Sequence, residues 1–184
     1  MAERVVEKYR GCDLVAAAQG TKFVGKAWRA GKSVTKLDGS DVADVLSQLK
    51  VKVDALLKDL AQNSPAPLPA EYVDAMRRVL PSLSAGHLAM LKAHYRATDR
   101  SLTSTQLAKA AGYASYGAAN LQYGLVARNL WEELPIPLPV GTDGQPIYTY
   151  ALADEGDRSG SEDQWVWKLR PDVAAAIAAL GLQN

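Results

Sequence analysis

Asparagine and glutamine side chains can pair bidentately with adenine, and arginine with guanine. The segment 115–134 holds Asn120, Gln122 and Arg128, and it opens with Ser115 and Tyr116, whose hydroxyls suit phosphate. Upstream of it, Arg96, Arg100 and Lys109 stand near the ends of two expected helices, where they are candidate phosphate contacts or else ordinary solvated charges. Near the N-terminus, Lys22, Lys26 and Trp28 alternate onto one strand face, a cation–aromatic combination that can hold a phosphate and stack a base. Val24 shares that face while Phe23 and Ala27 share the other, so pattern alone leaves open whether Trp28 is core. A third group is acidic: Asp154, Glu155, Asp157, Glu162 and Asp163 lie in a polar loop. That loop would repel a phosphate backbone. It suits a basic protein surface better, or simple solvation; a divalent cation is a remoter use of it.

Other chemistries have little to build on. Cys12 is the single cysteine, and His87 and His94 are the two histidines, too few for a disulfide framework or a Cys/His zinc site. All three read as structural residues. No catalytic residue, metal or cofactor is assigned, and the chain is expected not to be an enzyme.

These candidates are positioned by elements whose boundaries are legible in a chain of 184 residues, 48% hydrophobic and 22% charged. The segment AQNSPAPLPAE carries a density of proline that neither helix nor central strand tolerates. It divides the chain into an N-terminal domain at 1–61, a linker at 62–70 and a C-terminal domain at 71–184. In the first, CDLVAAAQ, TKFVGKAWR and KSVTKL read as three strands of an antiparallel meander, punctuated by Gly20 and Ala30-Gly31. A long helix follows with Ser40 as its expected cap. Val42, Leu46, Leu49, Val53, Leu56 and Leu60 form a heptad seam on it. A helix of ~30 Å outruns strands of ~20 Å, so the rest of the seam meets either the second domain or a second copy of the chain.

The C-terminal part reads as helices at 70–80 and 84–97, then a Thr103–Gln106 capping box opening a short helix that Gly112 ends. Ser115 caps a longer helix over 116–134. IYTYALA (147–153) and QWVWKLR (164–170) read as paired strands, and Pro171 opens a last helix closed by Gly181. Helix, short helix, tight turn, longer helix and hairpin is the order of a winged helix-turn-helix. Any three-helix scaffold with small-residue packing is the alternative. The expected fold class is therefore α+β: a three-stranded meander plus long helix, then a winged helix-turn-helix-like domain.

The runs LTSTQLAKAAGYASYGAANLQYG, DGQPIYTYALA and WVWKLRPDVAAAIAALG resemble a winged-helix-like region found beside HNH-type nuclease domains in bacterial restriction and mobile-element proteins. The resemblance covers about residues 80–182. It implies an association with DNA or with DNA-directed defence. It does not import the nuclease, because an HNH site needs histidines flanking a metal and this chain has only His87 and His94, seven apart on one expected helix.

Charge fits that expectation. The formal net charge of +1 conceals two basic regions, 4–36 and 77–131, each of net +6, and an acidic one, 132–163, of net −7. The expected partners are DNA or RNA, a second copy of the chain, and a protein of a defence complex; no apolar run suits a membrane, and the absence of a signal-peptide core points to the cytoplasm. The expected function is non-enzymatic DNA binding in a regulatory or defence-related setting. The alternative is a protein-interaction module, or a phage-type inhibitor of a nucleic-acid-binding complex, that uses the acidic 154–163 loop.

Overall fold

The computed structural model describes residues 4–156 and 165–183. It is an α+β chain of two compact units, Met1–Asn63 and Ser64–Asn184.

The first unit is a meander of four strands, β1 (Arg4–Tyr9), β2 (Cys12–Gln19), β3 (Lys22–Arg29) and β4 (Lys32–Gly39), followed by α1 (Val42–Asn63). Neighbours pair antiparallel in the order β1-β2-β3-β4. Two of the hairpins turn through Arg10-Gly11 and Ala30-Gly31, with both residues of each pair at positive φ, the conformation whose twist matches the flanking strands.

The strand count corrects the expected three. β1 is hidden from the pattern because its inner face, Val5, Glu7 and Tyr9, is only partly apolar. Glu7 pairs with Lys50 of α1 at 2.8 Å, and the Tyr9 hydroxyl donates to the Asp54 carboxylate at 3.1 Å. Arg10 reaches the same carboxylate at 2.9 Å. A strand fastened to its helix by polar groups lacks the apolar alternation by which strands are found in sequence.

The helix lies on the face formed by Leu14, Ala16 and Ala27, all fully buried. Its own buried residues are Val45, Leu49, Val53, Leu57 and Ala61, one every four positions. The heptad seam is thus only partly the core: Leu49 and Val53 belong to it, while Val42, Leu46, Leu56 and Leu60 are half-buried flanks. At Gly25 the helix comes so close that a Cβ would stand 2.2 Å from Val45 Cγ1. The expected cap is also displaced by one residue. Asp41 Oδ1 accepts from the Asp44 amide at 2.8 Å, and the Asp44 carboxylate accepts from the Ser40 amide at 2.9 Å.

The second unit opens on a segment without helix or strand, 64–68; residues 62–63 of the expected linker belong to α1 and 69–70 to the next helix. Its elements are α2 (Pro69–Val79), α3 (Ala85–Arg96), β5 (Ser101–Thr103), α4 (Ser104–Ala111), α5 (Tyr116–Glu133), β6 (Ala153–Glu155), β7 (Val166–Leu169) and α6 (Pro171–Ala179). The three short strands form an antiparallel sheet in the order β5-β7-β6.

Only the end of the expected strand 147–153 enters that sheet. Tyr148–Ala151 is a turn of 3-10 helix, because Tyr148 and Tyr150 go to aromatic partners instead of a ladder. Tyr148 meets Trp131 edge-on at 5.5 Å, and Tyr150 meets Trp167 at the same distance. β5 had no counterpart in the sequence reading, since three residues show no period.

The core of this unit gathers Met90 and Leu91 of α3, Leu107 of α4, Tyr123, Val126 and Leu130 of α5, and Val173 and Ile177 of α6. Within it His94 is completely buried, its Nδ1 2.6 Å from the Tyr123 hydroxyl and its Nε2 2.9 Å from the Trp167 carbonyl. The carbonyl can only accept, so Nε2 carries the proton and Nδ1 receives the Tyr123 O–H. Desolvation holds the imidazole pKa down at about 4 and pushes the Tyr123 phenol up, so both are neutral near pH 7.

Candidate nucleic-acid interface

Two surfaces carry the candidate residues, one in each unit. In the second unit the bend between α4 and α5 is set by local chemistry. The Thr103 hydroxyl accepts from the Gln106 amide at 3.2 Å and the Gln106 side chain accepts from the Thr103 amide at 2.8 Å, the expected capping box. Gly112, at φ +71°, closes α4, and the Tyr113 amide returns to the Ala108 carbonyl at 2.9 Å. Ser115 then caps α5 by accepting from the Ala118 amide at 3.2 Å. Its oxygen is thereby partly committed.

Each of the three expected base-readers has a side-chain partner within the unit. Asn120 Oδ1 accepts from the Ser104 hydroxyl at 2.5 Å, fastening α5 to α4. Gln122 Oε1 accepts from His87 Nε2 at 2.8 Å, while His87 Nδ1 accepts from the Ser84 amide at 3.3 Å, fastening α5 to the cap of α3. Arg128 pairs with Glu132 one turn on at 2.9 Å and lies 5.6 Å from the Tyr148 ring centroid. These residues brace the helix. Asn120 alone is exposed, and its amide hydrogens are not taken by the Ser104 bond.

The expected phosphate contacts are exposed and lie on three different elements. Arg96 ends α3 and donates to the Gln183 carbonyl at 2.7 Å. Arg100 lies over the Tyr95 ring at 5.4 Å, before β5. Lys109 stands in the last turn of α4 and has no ion pair among the described residues. Beside Asn120, large apolar side chains face solvent along α5: Tyr116 and Leu121, each 64% exposed, and Leu125, 39% exposed. Sequence reasoning missed that surface because leucines at helical spacing ordinarily mark a core stripe.

Of the acidic group, Asp154 and Glu155 are exposed on β6, and Asp154 accepts from Arg170 at 3.2 Å. Asp157, Glu162 and Asp163 lie outside the described residues. Among the described residues no three His, Cys, Asp or Glu side chains stand close enough to hold a metal ion. Cys12 is buried in the first unit, and no helix of the described residues is long and apolar enough to cross a membrane.

In the first unit α1 covers one side of the sheet and leaves the other open. The strand register puts Lys22, Val24, Lys26 and Trp28 of β3 on this open face, opposite Gln19, Ala17, Val15 and Asp13 of β2. On the outer strands Arg4, Val6 and Lys8 share it, as do Lys36 and Asp38. A shallow groove of about 370 Å3 runs between Arg4, Lys26 and Trp28, floored by Val15 and Val24. Lys26 Nζ sits 6.0 Å from the Trp28 ring centroid, and Trp28 is 36% exposed. The open question about the tryptophan resolves to the surface, since the face of Gly25 and Ala27 is the one that α1 covers.

No family model, curated protein or solved structure matches this chain.

Proposed function

We propose that the chain is a non-enzymatic nucleic-acid-binding protein whose second unit is a winged helix-turn-helix-type domain that docks on duplex DNA. The observation that carries this is the order of elements: α3, β5, α4, the Gly112 bend, α5, then the β6–β7 hairpin joined to β5 through β7. A module built this way offers its second helix to the major groove, with the preceding helix and the hairpin beside the backbone. The amide-bearing N-terminus of α5 and Lys109 would meet phosphates. Tyr116 and Asn120 would face the groove, and Arg96 and Arg100 would add charge at the margin. The resemblance to regions beside HNH-type nucleases supports a setting in DNA-directed defence.

The experiment is a fluorescence-polarisation titration of the full chain against duplex DNA at about 50 mM and about 200 mM salt, where each phosphate contact adds nearly one unit to the salt slope. Lys109→Glu should weaken binding several-fold, and Arg96→Ala with Arg100→Ala should weaken it on all sequences alike. Duplex affinity unmeasurable at the lower salt would end the proposal.

A second reading, a protein-interaction module, is favoured by the exposed Tyr116, Leu121 and Leu125 and by the acidic Asp154 and Glu155. Its signature would be biological activity abolished by Asp154→Ser with Glu155→Ser in a chain that binds no duplex.

A further inference from the structure

From the open face of the four-stranded sheet we infer that the first unit is a second, separate nucleic-acid site, one that takes a single strand by stacking unpaired bases on Trp28 and holding the backbone on the surrounding cations. The proposal stands on this unit alone and does not depend on how the second unit is used.

Charge comes first. The face carries Arg4, Lys8, Lys22, Lys26 and Lys36 against two carboxylates, Asp13 and Asp38. One of those carboxylates is neutralised within the sheet, since Lys8 pairs with Asp13 across the β1–β2 ladder. Arg4, Lys22, Lys26 and Lys36 have no ion pair among the described residues.

Lys26 and Lys36 are direct cross-strand partners. Like charges in that position destabilise a sheet. An anion placed between them removes the repulsion, so the arrangement is unfavourable in the free protein and favourable in a complex with a polyanion.

Trp28 selects the kind of polyanion. It is partly exposed on a face that it shares with the cations and with Val6, Val15 and Val24, and it stands beside Lys26 at the edge of the groove. Val15 and Val24 make the floor apolar. An aromatic ring beside Lys26, with Arg4 lining the same groove, meets a base face and its phosphate together, and stacking tolerates any base. A duplex keeps its base faces covered by their neighbours, so it gains only the charge. Lys22 and Lys26 stand four residues apart along β3, ~13 Å, with Trp28 two residues beyond, which suits a strand drawn out over the sheet.

The test uses the full chain and labelled oligonucleotides of about 12 nucleotides: single-stranded DNA, single-stranded RNA and the matching duplex. Trp28→Ala should weaken binding to the single strands by about tenfold, with Trp28→Phe retaining most of the affinity. Lys36→Glu should weaken it comparably while raising the melting temperature of the first unit, because a like-charge pair becomes an opposite one. A variant that stabilises the fold and still loses ligand cannot be explained by misfolding. Lys52→Glu, at an exposed position of α1, should leave single-strand binding unchanged, which places the site on the sheet face.

The proposal is overturned if the parent chain fails to bind either single strand at about 50 mM salt. It is overturned equally if Trp28→Ala binds them like the parent, or if Lys36→Glu affects the duplex as much as the single strands while Trp28→Ala affects neither. Preference for RNA or for DNA satisfies it and names the sugar.

Discussion

His94 is the residue whose ionisation the fold opposes most plainly. Its imidazole is neutral because it is desolvated, and its two nitrogens are satisfied by the Tyr123 hydroxyl and the Trp167 carbonyl. The folded pKa, about 4, lies below the ordinary value of 6.5. The unfolded chain therefore takes up the proton first as pH falls. Stability is fully present above pH 6.5 and declines towards pH 4, by about 3 kcal/mol across that window. Urea titrations of the second unit between pH 7 and pH 4.5 should show the decline, and His94→Gln should flatten it while lowering stability at pH 7. Tyr123→Phe removes the donor to Nδ1 and should cost about 1–3 kcal/mol. Most of the candidate residues could be picked out by type at this scale, but not their allegiance. Asn120, Gln122 and Arg128 have the side chains of base-readers; what fixes the first two is a partner 16 or 35 residues upstream that no spacing rule predicts, whereas the partner of Arg128, Glu132, stands at ordinary i,i+4 helical spacing.

Among the elements, α1 is the instructive one. Its existence and length were legible from capping and periodicity, yet its buried stripe follows an interval of four, because the surface beneath it is a sheet rather than another helix. The same contact explains why glycine occupies position 25. Gly25→Ala would drive a methyl into Val45 and Leu49 and should lower the stability of the first unit by about 1–3 kcal/mol, measurable as a shift in its urea midpoint. Gly112→Ala presents the opposite case. Open space surrounds that position, so the cost is the left-handed backbone alone, about 1 kcal/mol. The helices of the second unit were readable from their caps, Thr103, Ser115 and Pro171, whereas β1 and β5 were not. One hides its burial behind ion pairs, and the other is too short for any period.

At the scale of the whole molecule, the division into two units was signalled by proline, and each unit has its own core. Differential scanning calorimetry of the full chain should accordingly resolve two transitions. Gly25→Ala should lower only one of them, and His94→Gln only the other; a shift of both by either variant would show one cooperative core. The whole-chain charge of +1 says little, since it averages basic stretches at 4–36 and 77–131 with the acidic stretch at 132–163.

If α5 faces DNA as proposed, its internal ties bear on selectivity. A helix whose amide and guanidinium groups are engaged within the protein has few partners left for the edge pattern of a base pair, while Tyr116 and Leu121 remain turned outward. Discrimination by such a surface would rest on thymine methyl groups and on how readily the groove yields to it. Its preferred sites would share an A·T-rich character more than a spelled consensus.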